Sequence, residues 1–138
     1  MFVVQKSVAH PWMCDVLGHM TTRFYLHMFD DSSYHLLFEV FGWSGASDDE
    51  GARGWADVKH VIEYVAEVNA GDVLETRGGI KKIGNKSITI RYEMMNLGEN
   101  ELAATLECTC VLFDLKARKA LELTDELRAM AAAKLIED

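Results

Sequence analysis

The sequence predicts a single α+β domain in which one long helix is wrapped by a five-stranded antiparallel sheet, with a second helix near the C-terminal end. Three observations carry this. Apolar residues recur at helical spacing between 25 and 40, the period changes to two from residue 57, and the strand-like runs that follow are separated by turn signals. With 138 residues and one Pro, the chain reads as one domain, 1–138, large enough for its own core and with little room for linkers.

Residues 2–9 are short, β-rich and partly alternating, so they read as a strand that Pro11 ends. The segment from His10 to Met20 contains Pro11 and Gly18 and reads as irregular. Thr21 and Thr22 then open a helix. Tyr25, Phe29, Ser32, Leu36 and Val40 form its apolar face, and Met28, Leu37 and Phe41 widen it. Threonine is a good N-cap and Gly42 a good stop, so the helix spans about 20 residues, or roughly 30 Å. Ser32 and Ser33 are small enough for close packing against a sheet. Trp43 to Gly54 is rich in Gly, Ser and Asp and reads as a loop, with Asp48-Asp49-Glu50 solvated.

The second strand is expected over 58–68, with Val58, His60, Ile62, Tyr64, Ala66 and Val68 on one face. Asn69-Ala70-Gly71-Asp72 reads as a turn, Val73 to Ile83 as the third strand, Gly84-Asn85 as a hairpin, Lys86 to Met95 as the fourth strand and Leu102 to Leu115 as the fifth. Tight turns make consecutive strands antiparallel neighbours. Thr124 caps the closing helix, whose apolar stripe is Leu127, Ala131 and Leu135.

Composition narrows the functional classes. Twenty-two acidic and 14 basic side chains give a net charge of -8, against the basic surplus of a general nucleic-acid binder. No run of apolar residues is long enough to span a membrane, and the first residues lack the pattern of a signal peptide. Three Cys cannot all pair, and Cys108 and Cys110 share one strand-like run. The expectation is a reduced, cytoplasmic protein whose cysteines take no part in chemistry.

One segment carries more specific information: Cys14-Asp15-Val16-Leu17-Gly18-His19-Met20-Thr21-Thr22-Arg23-Phe24-Tyr25. Asp15, Gly18, His19 and Tyr25 resemble the signature of the hotdog-fold acyl-CoA thioesterases of the 4-hydroxybenzoyl-CoA thioesterase type. Tyr64 and Asn69-Ala70-Gly71-Asp72-Val73-Leu74 resemble that family's aromatic and Gly-Asp turn between its second and third strands. The order of elements is similar over nearly the whole chain. Two positions depart from the pattern. Met13 stands where the family often has a second Asp, and Thr21-Thr22 stands for its common Asn-Asn pair.

The resemblance implies hydrolysis of a thioester to a free acid and CoA. Asp15 is then the catalytic carboxylate, either attacking the carbonyl to give a mixed anhydride or activating water. A normal Asp titrates near about 3.9, low for a general base, whereas a nucleophile needs no such match. The oxyanion donor implied is the backbone N–H of Thr22, in the first helical turn, where unpaired N–H groups and the dipole favour negative charge. The backbone at Gly54 is the place where a neighbouring subunit approaches the substrate. His19 is implied as a loop-supporting residue.

CoA brings several negative charges to an acidic protein, so a local basic patch is needed. Lys81, Lys82, Lys86 and Arg91 cluster around the hairpin and are the candidates for its phosphates. Trp12, Met13, Phe24, Tyr25, Trp43 and Trp55 are the candidates for the substrate pocket. No cofactor is expected beyond the CoA of the substrate. No metal is expected either, because no His/Cys spacing resembles a zinc site, and His60 reads as a hydrogen-bonded strand residue. Strand 58–68 offers more alternating positions than one helix covers, and an uncovered edge is a liability. A homodimer or homotetramer is expected, and the resemblance implies a site built between chains. The competing readings are a non-catalytic acyl-CoA or small-ligand binding protein, and a hotdog dehydratase or hydratase.

Overall fold

A computed structural model describes residues 1–45 and 53–137. The acidic loop residues Asp48-Asp49-Glu50 and the middle of the expected 43–54 loop lie outside the described residues. Strand β1 (Phe2–Val8) leads through a single 3₁₀ turn (Pro11–Met13) to the long helix α1 (Thr22–Phe41). Strands β2 (Arg53–Tyr64), β3 (Val73–Ile83), β4 (Ser87–Asn96), β5 (Glu101–Asp114) and β6 (Lys119–Ala120) follow, and α2 (Asp125–Ala132) comes last.

All the pairings are antiparallel, and the sheet runs β1-β3-β4-β5-β2, with β6 added beside β5. This is the hotdog arrangement of one helix against a curved antiparallel sheet. The two-residue β6 makes the sheet six-stranded rather than five-stranded. A larger correction concerns β2. It starts at Arg53, ends at Tyr64, and lies at the sheet edge beside β5 rather than beside β3. The segment 65–72 is not a hairpin turn. Val65 and Ala66 both donate to the Ala103 carbonyl, buried Val68 accepts from Met20 at 2.7 Å, and Ala70 donates to Gly18 at 3.0 Å. These bonds carry the chain across the entrance of α1 and return it to the far side of the sheet.

α1 buries Tyr25, Met28, Phe29, Ser32, Leu36, Leu37 and Val40 against the sheet. The facing residues alternate along β4 and β5: Ile88, Ile90, Tyr92 and Met94, then Ala104, Leu106, Cys108, Cys110 and Leu112. Each fully buried Leu, Ile or Phe among them contributes about 1.5–3 kcal/mol. Ser32 is wholly buried because its hydroxyl is satisfied, lying within hydrogen-bond distance of the Gln5 side-chain amide at 2.7 Å and of Met28 O at 2.8 Å. Gly78 lets the helix sit this close, since a Cβ there would lie 2.9 Å from Leu36 and 3.0 Å from Tyr92. Gly42, at φ 65°, ends α1 with its N–H on the Leu37 and Phe38 carbonyls.

At the other end of the chain, Thr124 caps α2 by accepting from the Leu127 N–H at 3.1 Å. Leu135 lies beyond that helix and not on its stripe. The segment around it forms a parallel bridge at Ile80, with bonds of 3.0 and 2.8 Å to the Ile80 backbone. This covers β3 just past the reach of β1. No helix among the described residues is long and apolar enough to cross a membrane.

Candidate active site

The two segments singled out in the sequence meet in space. His19 pairs with Asn69 in an isolated antiparallel bridge, and Gly18 and Met20 bond Ala70 and Val68. The first segment is itself a small hairpin. Cys14 bridges Met20, the Asp15 N–H donates to the His19 carbonyl at 2.9 Å, and Thr21 donates to Met13 at 3.0 Å. Gly18, at φ 82°, closes its turn in a backbone region that side chains disfavour.

Asp15 is exposed at the base of that turn. Its Oδ1 accepts from the Leu17 N–H at 2.9 Å and the His19 N–H at 3.2 Å. The carboxylate is thereby oriented by two backbone donors. His19 contributes a second tie, with Nε2 3.3 Å from Glu67 Oε2. The other segment is pinned by Asp72, whose Oδ2 accepts from Asn69 N at 2.8 Å and from Asn96 Nδ2 at 2.9 Å.

Thr22 is the first residue of α1, one step after the hairpin closes. The cap residue Thr21 makes no side-chain hydrogen bond to the first turn, and its Oγ1 is buried without a partner among the described residues. α2 has its threonine cap engaged. α1 does not, and although its Phe24 N–H is taken by the Thr21 carbonyl at 3.0 Å, the N–H groups of Thr22 and Arg23 have no partner among the described residues. Tyr25 stands one turn further in. Its hydroxyl donates to the Ala66 carbonyl at 3.3 Å, its ring meets Tyr64 edge-on at 5.1 Å, and burial raises its pKa above the ordinary range.

The remaining candidates separate into groups. Exposed Trp12 stacks on His10 and meets Phe24 at 5.6 Å near the start of α1, while Met13 is buried. Trp43 and Trp55 lie by the other end of α1, where both line a groove of about 190 Å³ with Tyr34 and Asp57. The six aromatic and apolar candidates therefore do not converge on one cavity within a single chain. Gly54 lies near the start of β2, opposite Phe113. A Cβ there would make only ordinary contact, 3.7 Å from Leu115, so packing among the described residues does not require glycine.

Lys81, Lys82 and Lys59 line a groove of about 270 Å³ together with Thr89, Glu107 and Thr109. Glu107 takes Lys81 at 2.8 Å and Arg91 at 3.3 Å, and Arg91 also approaches Glu93 at 3.5 Å. The hydrogen bond from Lys81 holds the Glu107 carboxyl below its ordinary range. Lys82 and Lys86 have no ion-pair partner among the described residues. Cys108 and Cys110 are free and buried, and Cys14 is free and half-buried. The neighbouring Cys110 thiol and burial hold the Cys108 thiol protonated.

The family model for the thioesterase-like superfamily matches residues 9–130, a stretch that includes the Asp15 hairpin and the 64–74 segment. The chain belongs to the thioesterase-like superfamily. Membership gives it the chemistry of a thioester hydrolase. Solved structures share the superfamily fold over almost the whole chain. The probable thioesterase YbaW from Escherichia coli is 22% identical with a TM-score of 0.80, covering 96% of this chain and 98% of that one. A predicted thioesterase from Bacillus stearothermophilus is 20% identical with a TM-score of 0.85, covering 99% and 98%. The hypothetical protein SAV2348 from Staphylococcus aureus, solved in complex with CoA, is 16% identical with a TM-score of 0.87, covering 100% and 90%. No curated protein matches the chain.

Some residues of this candidate site were not visible as such in the sequence. Glu67 holds His19 and Asn96 holds Asp72, yet both sit in segments whose path depends on the tertiary crossing. The Asp at the end of the Asn69–Asp72 turn was the one available signal.

Proposed function

We propose that this protein is an acyl-CoA thioesterase in which Asp15 is the catalytic carboxylate. The observation that carries the reading is an exposed Asp15, held by the Leu17 and His19 N–H groups, at the mouth of a helix whose cap side chain leaves the Thr22 N–H without a partner among the described residues. The carboxylate attacks the thioester carbonyl. The oxyanion forms on the Thr22 N–H, the CoA thiolate leaves and takes a proton, and water then hydrolyses the mixed anhydride. Such a donor contributes about 2.7–4 kcal/mol to the transition state. The general-base route, with Asp15 activating water, uses the same geometry. Borohydride trapping during turnover separates the two, because only an anhydride on Asp15 leaves that side chain reduced on the protein.

Lys82 and Lys86, without ion-pair partners, are the better candidates for CoA phosphates, while Lys81 and Arg91 already neutralise Glu107. The complete site includes a second copy of the chain. Gly54 supports this, because nothing among the described residues requires glycine there. The edge of β2 supports it too, leaving Val58 60% and Val61 47% exposed.

The test is a hydrolysis screen over short, medium, long, aromatic and cationic acyl-CoAs, read as free thiol, with Asp15→Asn and Asp15→Ala in parallel. Turnover of at least one class that falls to background in both variants supports the reading. Unchanged turnover in both removes Asp15 from the chemistry, and tight binding without release points to a binding protein.

A further inference from the structure

Away from the Asp15 hairpin, the ladder between β2 and β5 gathers a second set of reactive side chains. Asp57 Oδ2, His60 Nε2 and Cys108 Sγ all lie within 4.8 Å of one another, with the first two 3.0 Å apart. We propose that Asp57, His60 and Cys108 form a three-residue binding site, with its fourth position open to water, for a borderline-soft divalent transition-metal ion of the zinc type.

The geometry comes from a bulge. Residues three apart on a regular strand point to opposite faces. The register shift between Asp57 and Lys59 inserts one extra residue, which turns Asp57 and His60 to the same side. That side also carries Cys108, opposite His60, and Cys110, opposite Asp57. This explains why no metal was expected from the sequence. Neither the bulge nor the register that joins 57 and 60 to 108 and 110 is written in local spacing.

The donor set suits such an ion. One imidazole, one carboxylate and thiolate sulfur at bond lengths of about 2.0–2.3 Å place neighbouring ligand atoms about 3.5 Å apart in a tetrahedron. The pair at 3.0 Å is already close to that spacing, and the widest separation closes by about an ångström. On binding, the Cys108 thiol releases its proton to solvent and its sulfur takes the metal.

A separate observation points to a ligand here. The Tyr92 hydroxyl is fully buried and has no hydrogen-bond partner among the described residues. The titratable groups acting on it include Cys108, Cys110, Asp57 and Asp30. Water on a bound ion supplies the missing partner. The ion also has a path inward, because Asp57 lines the groove of about 190 Å³ beside α1.

The experiment uses the whole chain, stripped with chelator under reducing conditions and titrated with Co²⁺. The expected result is one Co²⁺ per chain, with intense tetrahedral visible bands and a thiolate-to-cobalt charge-transfer band. Zn²⁺ displaces it and raises Tm. His60→Gln and Cys108→Ser each weaken binding at least about tenfold and remove or shift the bands. His60→Gln changes a partly exposed side chain and guards against misfolding of the Cys108 variant. Asp15→Asn binds Co²⁺ like the unaltered chain, so this result stands apart from the thioesterase reading. Absence of the charge-transfer band overturns the proposal, as does binding unchanged in both ligand variants.

Discussion

Asp15 does two jobs that substitution can separate. Its Oδ1 is an acceptor for two backbone N–H groups, and in the proposed reaction its charge is the reagent. Asn keeps an acceptor oxygen and loses the charge. Asp15→Asn is therefore expected to keep the melting temperature within about 2 °C, matching a stability change of under about 0.5 kcal/mol, while kcat falls at least about a hundredfold. Asp15→Ala loses both, so kcat falls alike and stability drops by about 1 kcal/mol from the unsatisfied turn donors. Differential scanning fluorimetry beside a thiol-release assay checks the pair. Equal stability losses in both variants would remove the two-role account. Asp15 stands out in the sequence because it falls on a motif of fixed spacing. The Glu67 partner of His19 does not, because a contact across the α1 entrance has no local periodicity.

At the scale of elements, the seat of α1 is the sensitive point. A methyl at Gly78 meets Leu36, Tyr92 and Val4 at 2.9, 3.0 and 3.1 Å, and all three are packed against the helix–sheet layer. Gly78→Ala is expected to cost about 1–3 kcal/mol, read as a lower urea midpoint. Gly54→Ala meets only Leu115 at 3.7 Å and serves as its mild counterpart in the isolated fold. The Glu107 cluster ties β3, β4 and β5 across the outer face. Its folded pKa is lowered, so its contribution is present above the unfolded carboxyl value of about 4.3 and is lost as pH falls through the lowered folded value. These side chains are about a third exposed, which limits the contribution to under about 1 kcal/mol. Glu107→Gln should lower Tm near neutral pH and match the unaltered protein in acid; a difference that persists in acid would assign the effect to packing. Helix α1 and strand β3 were readable nearly to the residue, since their periodicity is strong. β2 was not. Its partner is 40 to 61 residues away in sequence, and its bulge breaks the alternation that strand reading relies on.

For the whole molecule, the edge of β2 is decisive. Val58, Val61, Tyr64 and Val65 are 60%, 47%, 49% and 57% exposed in one chain. An apolar edge of this length invites pairing with another strand. Val58→Asp combined with Val61→Asp is expected to convert a dimer into monomers by light scattering at micromolar concentration and to lower activity with it. A monomeric unaltered chain with full activity would show that the site is complete in one copy.

What the sequence determined by itself was the local chemistry. It specified the long helix and its stop, the strands with clear alternation, the capped closing helix, and the Asp-Gly-His segment that marked the family. These depend on neighbours a few residues away, where periodicity, turn residues and motif spacing act directly. The tertiary structure alone decided that β2 leaves its sequence neighbour for the β5 edge and that the two marked segments meet at the mouth of α1. It also decided that the aromatic candidates divide between the two ends of that helix, and that a bulge turns Asp57 and His60 toward Cys108. Each of these rests on contacts between residues far apart in the chain, fixed by closing the sheet around the helix, and local spacing does not encode that closure.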